Sequence, residues 1–134
     1  MEAALVLVGG FSIHLFNGCF FLWGNIAPYV LSYFYHFGGR DGTGQLDLTL
    51  ADAVSVIPIM QIGLMIMNPT IASHKSGNPK VLMAIGASIA ITGCLLSTLV
   101  RSFQMFLVTY AVVVSFGIGF CYFPPLMCGW EWVP

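Results

Sequence analysis

In a chain of 134 residues, 7% charged and 58% hydrophobic side chains leave too few charges to cover a water-facing surface, where soluble domains carry about a quarter. The net charge of −1, with no basic tail, gives nucleic acid nothing to grip. The composition predicts an integral membrane protein. Its apolar runs are unbroken and lack the alternation of barrel strands, so the expected fold class is all-α, with about four transmembrane helices.

The first apolar run covers residues 3–37. As helix it is roughly 50 Å long, against a hydrocarbon core of about 30 Å, so it must tilt, bend or emerge. Pro28 offers the bend, and Tyr29, Tyr33, Phe34, Tyr35 and Phe37 suit the headgroup zone. Neither Lys nor Arg precedes the run, which argues against a secretory signal or an Arg-rich presequence and for a retained anchor. His14, Gly18, Phe21, Asn25, Pro28 and Ser32 recur at steps of four and three, with Gly10, Asn17 and Gly24 beside them. Leu15, Leu22, Ile26 and Val30 lie opposite. In lipid the polar side must turn toward packed neighbours or a wet cavity.

Residues 38–49 form a glycine-rich loop. The stretch from Asp41 to Asp47 has the look of a calcium loop, but Gly39 and Leu50 stand where its end carboxylates belong. Thr49 and Asp52 have capping-box spacing for the helix that follows, expected over 50–67. On that helix Gln61 and Asn68 share a face, Met60, Met65 and Met67 surround them, and Pro58 offers a kink. Residues 68–80 read as a polar break between spans.

The third helix is expected over 81–100. Gly86, Ala90, Gly93 and Ser97 form a small-residue stripe of the kind that lets membrane helices approach closely. The fourth is expected over 103–127, with Ser115 and Gly119 as a second small pair. Gly117, Gly119, Pro124 and Pro125 predict a bend near its end, and Trp130 and Trp132 an interfacial ending. Arg40 and Arg101 balance Lys75 and Lys80 across the membrane, so the positive-inside rule gives no orientation.

Enzyme chemistry has no foothold here. His14, His36 and His74 sit on separate elements, with no Ser/His/Asp set and no phosphate-binding glycine loop. His14 reads as a hydrogen-bonded packing residue rather than a heme ligand. Cys19, Cys94, Cys121 and Cys128 lie inside apolar runs and form no Cys-x-x-Cys pair. No metal and no cofactor are expected.

The order of these elements resembles the start of a major facilitator superfamily transporter. The matching stretches are Trp23-Gly24-Asn25-Ile26-Ala27-Pro28-Tyr29, Gly117-Ile118-Gly119-Phe120-Cys121-Tyr122-Phe123-Pro124-Pro125 and Trp130-Glu131-Trp132-Val133-Pro134. They are most similar to the oxalate/formate-antiporter and monocarboxylate-porter-like branch. The resemblance implies that residues 1–134 are the first four helices of an N-terminal six-helix domain, part of a fold with two such halves around a midplane site.

It also implies alternating-access transport of a small organic anion, with Asn17, Asn25, Tyr29, Gln61, Asn68 and Tyr110 as cavity candidates. The family signature Gly-x-x-x-Asp-Arg-x-Gly-Arg-Arg falls on residues 70–79. Thr70 stands at the first glycine, His74 at the aspartate, Lys75 at the arginine and Gly77 at the second glycine. Asn78 and Pro79 replace the basic pair, with Lys80 just after. These residues would be the remnant of a conformational latch whose carboxylate is absent. No Lys or Arg lies mid-span, so a cation for the anion would come from helices outside these four.

A second expectation is structural: a truncated transporter-like accessory subunit of a larger membrane complex, without transport activity. In either case the partners are the lipid bilayer and the helices or subunits that cover the polar faces. The plasma membrane and the mitochondrial inner membrane are the two expected homes.

Overall fold

The computed structural model describes residues 2–38, 44, 47–73 and 78–130. It is helical throughout its four spans, with no strand among the described residues. Ala4–Phe37, Leu50–Ser73, Pro79–Leu99 and Phe103–Trp130 are each long and apolar enough to cross a membrane, and the chain is a multi-pass membrane protein.

The first span consists of α1 (Glu2–Gly18), one tighter 3-10 turn over Cys19–Leu22, and α2 (Trp23–Phe37). The expected bend at Pro28 is not where helical geometry changes: α2 runs through Pro28, and the change lies a turn and more earlier.

The second span opens as the Thr49/Asp52 spacing predicts. Thr49 donates to Asp52 Oδ2 from its backbone N–H at 2.8 Å and from its hydroxyl at 2.7 Å. The short α3 (Leu50–Val54) then breaks at Ser55, and α4 (Val56–Ser73) follows. Pro58 accounts for the break, because it lacks the N–H that the Val54 carbonyl would otherwise receive. Ser55 instead turns its hydroxyl to the Asp52 carbonyl at 2.6 Å. Asp52→Ala is expected to fray the start of this span. Faster amide hydrogen exchange over residues 50–54, with a small fall in Tm, is the measurement.

The far end of α4 departs from expectation. Residues 68–73, read above as part of a polar break, continue the helix to Ser73. Thr70 and Ser73 place their hydroxyls on the carbonyls of Ile66 and Thr70, at 2.7 and 2.8 Å, so these polar residues satisfy the helix rather than end it.

The third span, α5 (Pro79–Leu99), starts two residues earlier than expected, with Pro79 in its first turn. The Asn78 side chain accepts from the Lys80 N–H at 3.0 Å. The fourth span begins as α6 (Phe103–Phe106), widens into a π-helix over Leu107–Val113, and continues as α7 (Val114–Trp130) through Pro124 and Pro125.

The fourth span is the centre of the bundle. Its α7 packs on α5, α4 and α1, which surround it. The approach to α5 is close because glycine faces glycine: a Cβ on Gly86 would lie 2.7 Å from the Gly117 carbonyl. On the other side, a Cβ on Gly63 would collide with the Ser115 hydroxyl, and one on Gly119 would lie 2.5 Å from Met67 Cβ. Toward the α2 end the core is aromatic. Trp23 stacks on Phe106 at 5.8 Å between ring centroids, and Phe34 packs against Phe103 and Phe106. Trp23 is also tied to the second span, donating its indole N–H to the Ala53 carbonyl at 2.8 Å, next to the break at Ser55.

Candidate functional site

Ser115, Gly119 and Tyr122 are spaced four and three apart on α7, so they form one stripe. Ser115 and Gly119 meet α4 at Gly63 and Met67. Tyr122 meets α1 through His14, edge to face, with ring centroids 4.9 Å apart. The stripe therefore looks into the seam between α1 and α4. These two helices lean on α7 rather than on each other.

Buried polar atoms lie on both α1 and α4. His14 Nε2 and Asn17 Nδ2 from α1, and Asn68 Oδ1 from α4, are fully shielded and have no hydrogen-bond partner among the described residues. Asn17 is only 4% exposed. Their levels along α7 agree: His14 is beside Tyr122, Asn17 is one turn farther along α1, and Asn68 follows the Met67 that touches Gly119. Polar groups left unpaired in a low-dielectric interior cost free energy, so each of these side chains calls for a polar partner. His14 also lines a cleft of about 250 Å³ between α1 and the end of α7, walled by Val6, Gly10, Phe11, Pro125 and Trp130.

The structure distributes the six cavity candidates unevenly. Asn17 and Asn68 each hold a shielded polar atom with no partner among the described residues. Gln61 is half-buried, two turns back from Asn68 on α4. Tyr110 is half-buried too, but inside the aromatic core, 5.0 Å from Phe106 and 5.5 Å from Trp23 between ring centroids. Asn25 is exposed, and Tyr29 is 78% exposed, at the rim of a shallow groove with Tyr33, Ser97 and Thr98. Those two are not brought among the buried polar atoms. His14 and Tyr122 were not foreseen as site residues. The signal for His14 was its spacing from Gly10 and Asn17, which puts all three on the α7-facing side of α1.

Of the latch residues, Thr70 lies exposed within α4 and Lys80 exposed in the first turn of α5. His74, Lys75 and Gly77 fall outside the described residues. Of the packing residues, Gly86, Ala90, Gly93, Ser115 and Gly119 are buried, and Ser97 is half-buried.

One curated protein similar to this chain is Apicoplast pyruvate carrier 1 of Toxoplasma gondii. It is 24% identical over 159 aligned positions, which take in 97% of this chain and 29% of the carrier. The chain thus spans less than a third of that relative's length. No family model and no solved structure matches the chain.

Proposed function

We propose that this chain forms the first four helices of a major-facilitator-type carrier that moves small monocarboxylates across an organellar membrane by alternating access. The observation that carries the reading is the similarity to a pyruvate carrier along nearly the whole of this chain. The buried polar atoms of α1 and α4 support it physically. A span that served only as an anchor has no need of unpaired Asn and His atoms against its central helix.

The protein acts as a carrier, not an enzyme: the seam binds and releases cargo without changing it. Asn17 and Asn68 are the residues that hold the cargo. The test is uptake of labelled pyruvate, lactate, formate and oxalate into vesicles containing the native full-length protein. Saturable uptake of at least one monocarboxylate is expected. No uptake of any of the four, by protein that elutes as a homogeneous folded species, defeats the reading and leaves the accessory-subunit role in its place.

A further inference from the structure

Three of the four spans leave α geometry, and they do so at one level. In the first span the 3-10 turn ends at Leu22, and Trp23 follows it directly. The Trp23 indole N–H bonds to the Ala53 carbonyl, two residues before the break at Ser55 in the second span. In the fourth span Trp23 lies against Phe106, the last residue before the π-helix, and against Tyr110 inside it. Phe20, within the 3-10 turn, also meets Tyr110, with ring centroids 6.3 Å apart. The third span is the exception. Its α5 runs unbroken past this level, with Gly93 close against the Thr109 carbonyl and Val114.

Each departure weakens the run of helical hydrogen bonds where it occurs, and helices bend at such places. Three of them side by side make one soft cross-section. Beyond it, α2, α3 and α6 hold to one another through the Trp23–Ala53 bond and through Phe34, which packs against Phe103 and Phe106. Their hold on α5 is weaker. The α2 helix packs on α3 and not broadly on α5. A groove of about 440 Å³ separates α2 from α5, with Tyr29, Val30 and Tyr33 on one wall and Ser97 and Thr98 on the other.

We infer that the level of Trp23 is a hinge within this bundle, about which α2, α3 and α6 swing as one block while α5 stays straight. The groove beside α5 is the space into which the block closes. Closure brings the exposed Tyr29 and Tyr33 toward Ser97 and Thr98. The hydroxyls of Ser97 and Thr98 donate to the Cys94 and Leu95 carbonyls, and their oxygens can still accept from tyrosine. This flexure bends one bundle internally, which is distinct from the rigid rocking of two whole halves against each other.

The experiment is amide hydrogen exchange on the native full-length protein in detergent micelles. Residues 19–26, 55–59 and 107–114 are expected to share one protection factor, at least about tenfold below that of mid-α5. Pro58→Ala returns the N–H that the Val54 carbonyl lacks, so a swing must break one more hydrogen bond. Exchange is then expected to slow about threefold to tenfold in all three segments, although the substitution touches only one. Slowing confined to the second span, or protection in the three segments equal to that of α5, overturns the inference.

Pro58 is exposed and alanine suits a helix, so the variant is expected to fold. Should it not, distances between spin labels in the otherwise native sequence decide the matter. Labels at Phe37→Cys and Leu99→Cys, both exposed sites, are expected to show two distances. Labels at Ile62→Cys and Leu99→Cys, both outside the block, are expected to show one. A single distance for both pairs overturns the hinge. Neither measurement involves a cargo, so its failure leaves the carrier reading standing.

Discussion

Leucine at Gly117 is expected to force α5 away from α7 and to cost the bundle a large share of its stability. A Cβ at this position would lie 2.5 Å from the Ala90 nitrogen, 2.7 Å from the Gly86 carbonyl oxygen and 2.8 Å from the Ala90 Cα. Every one of these atoms is backbone, so no rotamer change relieves the clash. At Gly119 the nearest atom is Met67 Cβ at 2.5 Å, so the crowding there is with α4 rather than α5. Overpacking a well-packed site costs about 1–3 kcal/mol when neighbours can yield, and a helix backbone yields least, so Gly117→Leu belongs at or above the top of that range.

Membrane helices associate through close packing rather than through exclusion of water, which makes the loss of this contact harder to offset. Reversible unfolding in mixed detergent micelles measures the effect. Gly9→Leu is the control: nothing lies within 4 Å of a Cβ there, and its stability is expected to stay within about 0.5 kcal/mol of the parent. Equal stability of the two variants would show that the α5–α7 contact is not as close as described.

The second large effect is expected at Trp23. Its side chain is 2% exposed, packed against both rings of the Phe106–Tyr110 stack, and bonded to the Ala53 carbonyl. It thereby joins three spans at one point. Truncating a buried aromatic to alanine costs about 3–5 kcal/mol, and Trp23→Ala is expected within that range. Trp23→Phe separates the contributions. It keeps an aromatic ring in the stack but strands the Ala53 carbonyl beside the helix break, an effect of about 1–3 kcal/mol. If Trp23→Phe proves as costly as Trp23→Ala, the hydrogen bond carries the effect; if it costs nothing, packing does. Near-ultraviolet circular dichroism of the remaining aromatic stack checks that the core has not simply rearranged.

The four spans were legible in the sequence because apolar length is a coarse property that no local detail can hide. The close face of α5 was legible too: Gly86, Ala90 and Gly93 fall on one stripe by spacing alone, and that stripe lies against α7. Local winding was not. The 3-10 turn at Cys19–Leu22 and the π-helix at Leu107–Val113 are responses to packing, and ordinary apolar residues fill both. Asn68, Pro69 and Thr70 looked like a turn because each residue favours one singly. In place, the hydroxyls of Thr70 and Ser73 serve the helix instead.

The broad polar face of the first span posed a different difficulty. Periodicity places Asn17 and Asn25 only a little apart around the helix. It cannot say that one is buried against α7 while the other stays exposed, because that depends on how far α7 reaches along the neighbouring span.

The π-helix of the fourth span has a geometric consequence. Bonding each N–H five residues back rather than four fits an extra residue into the turn, and one residue is worth about 100° of rotation. The two halves of this span are thus out of phase, like two sections of a drill shank joined with a deliberate offset. Tyr110 can point at Trp23 while Ser115, Gly117 and Gly119, only a turn or two beyond, are divided between α4 and α5. The offset works as a clutch. Adding or removing a single residue between 107 and 113 would leave the span's length almost unchanged, yet it would turn every glycine contact beyond it to a different neighbour.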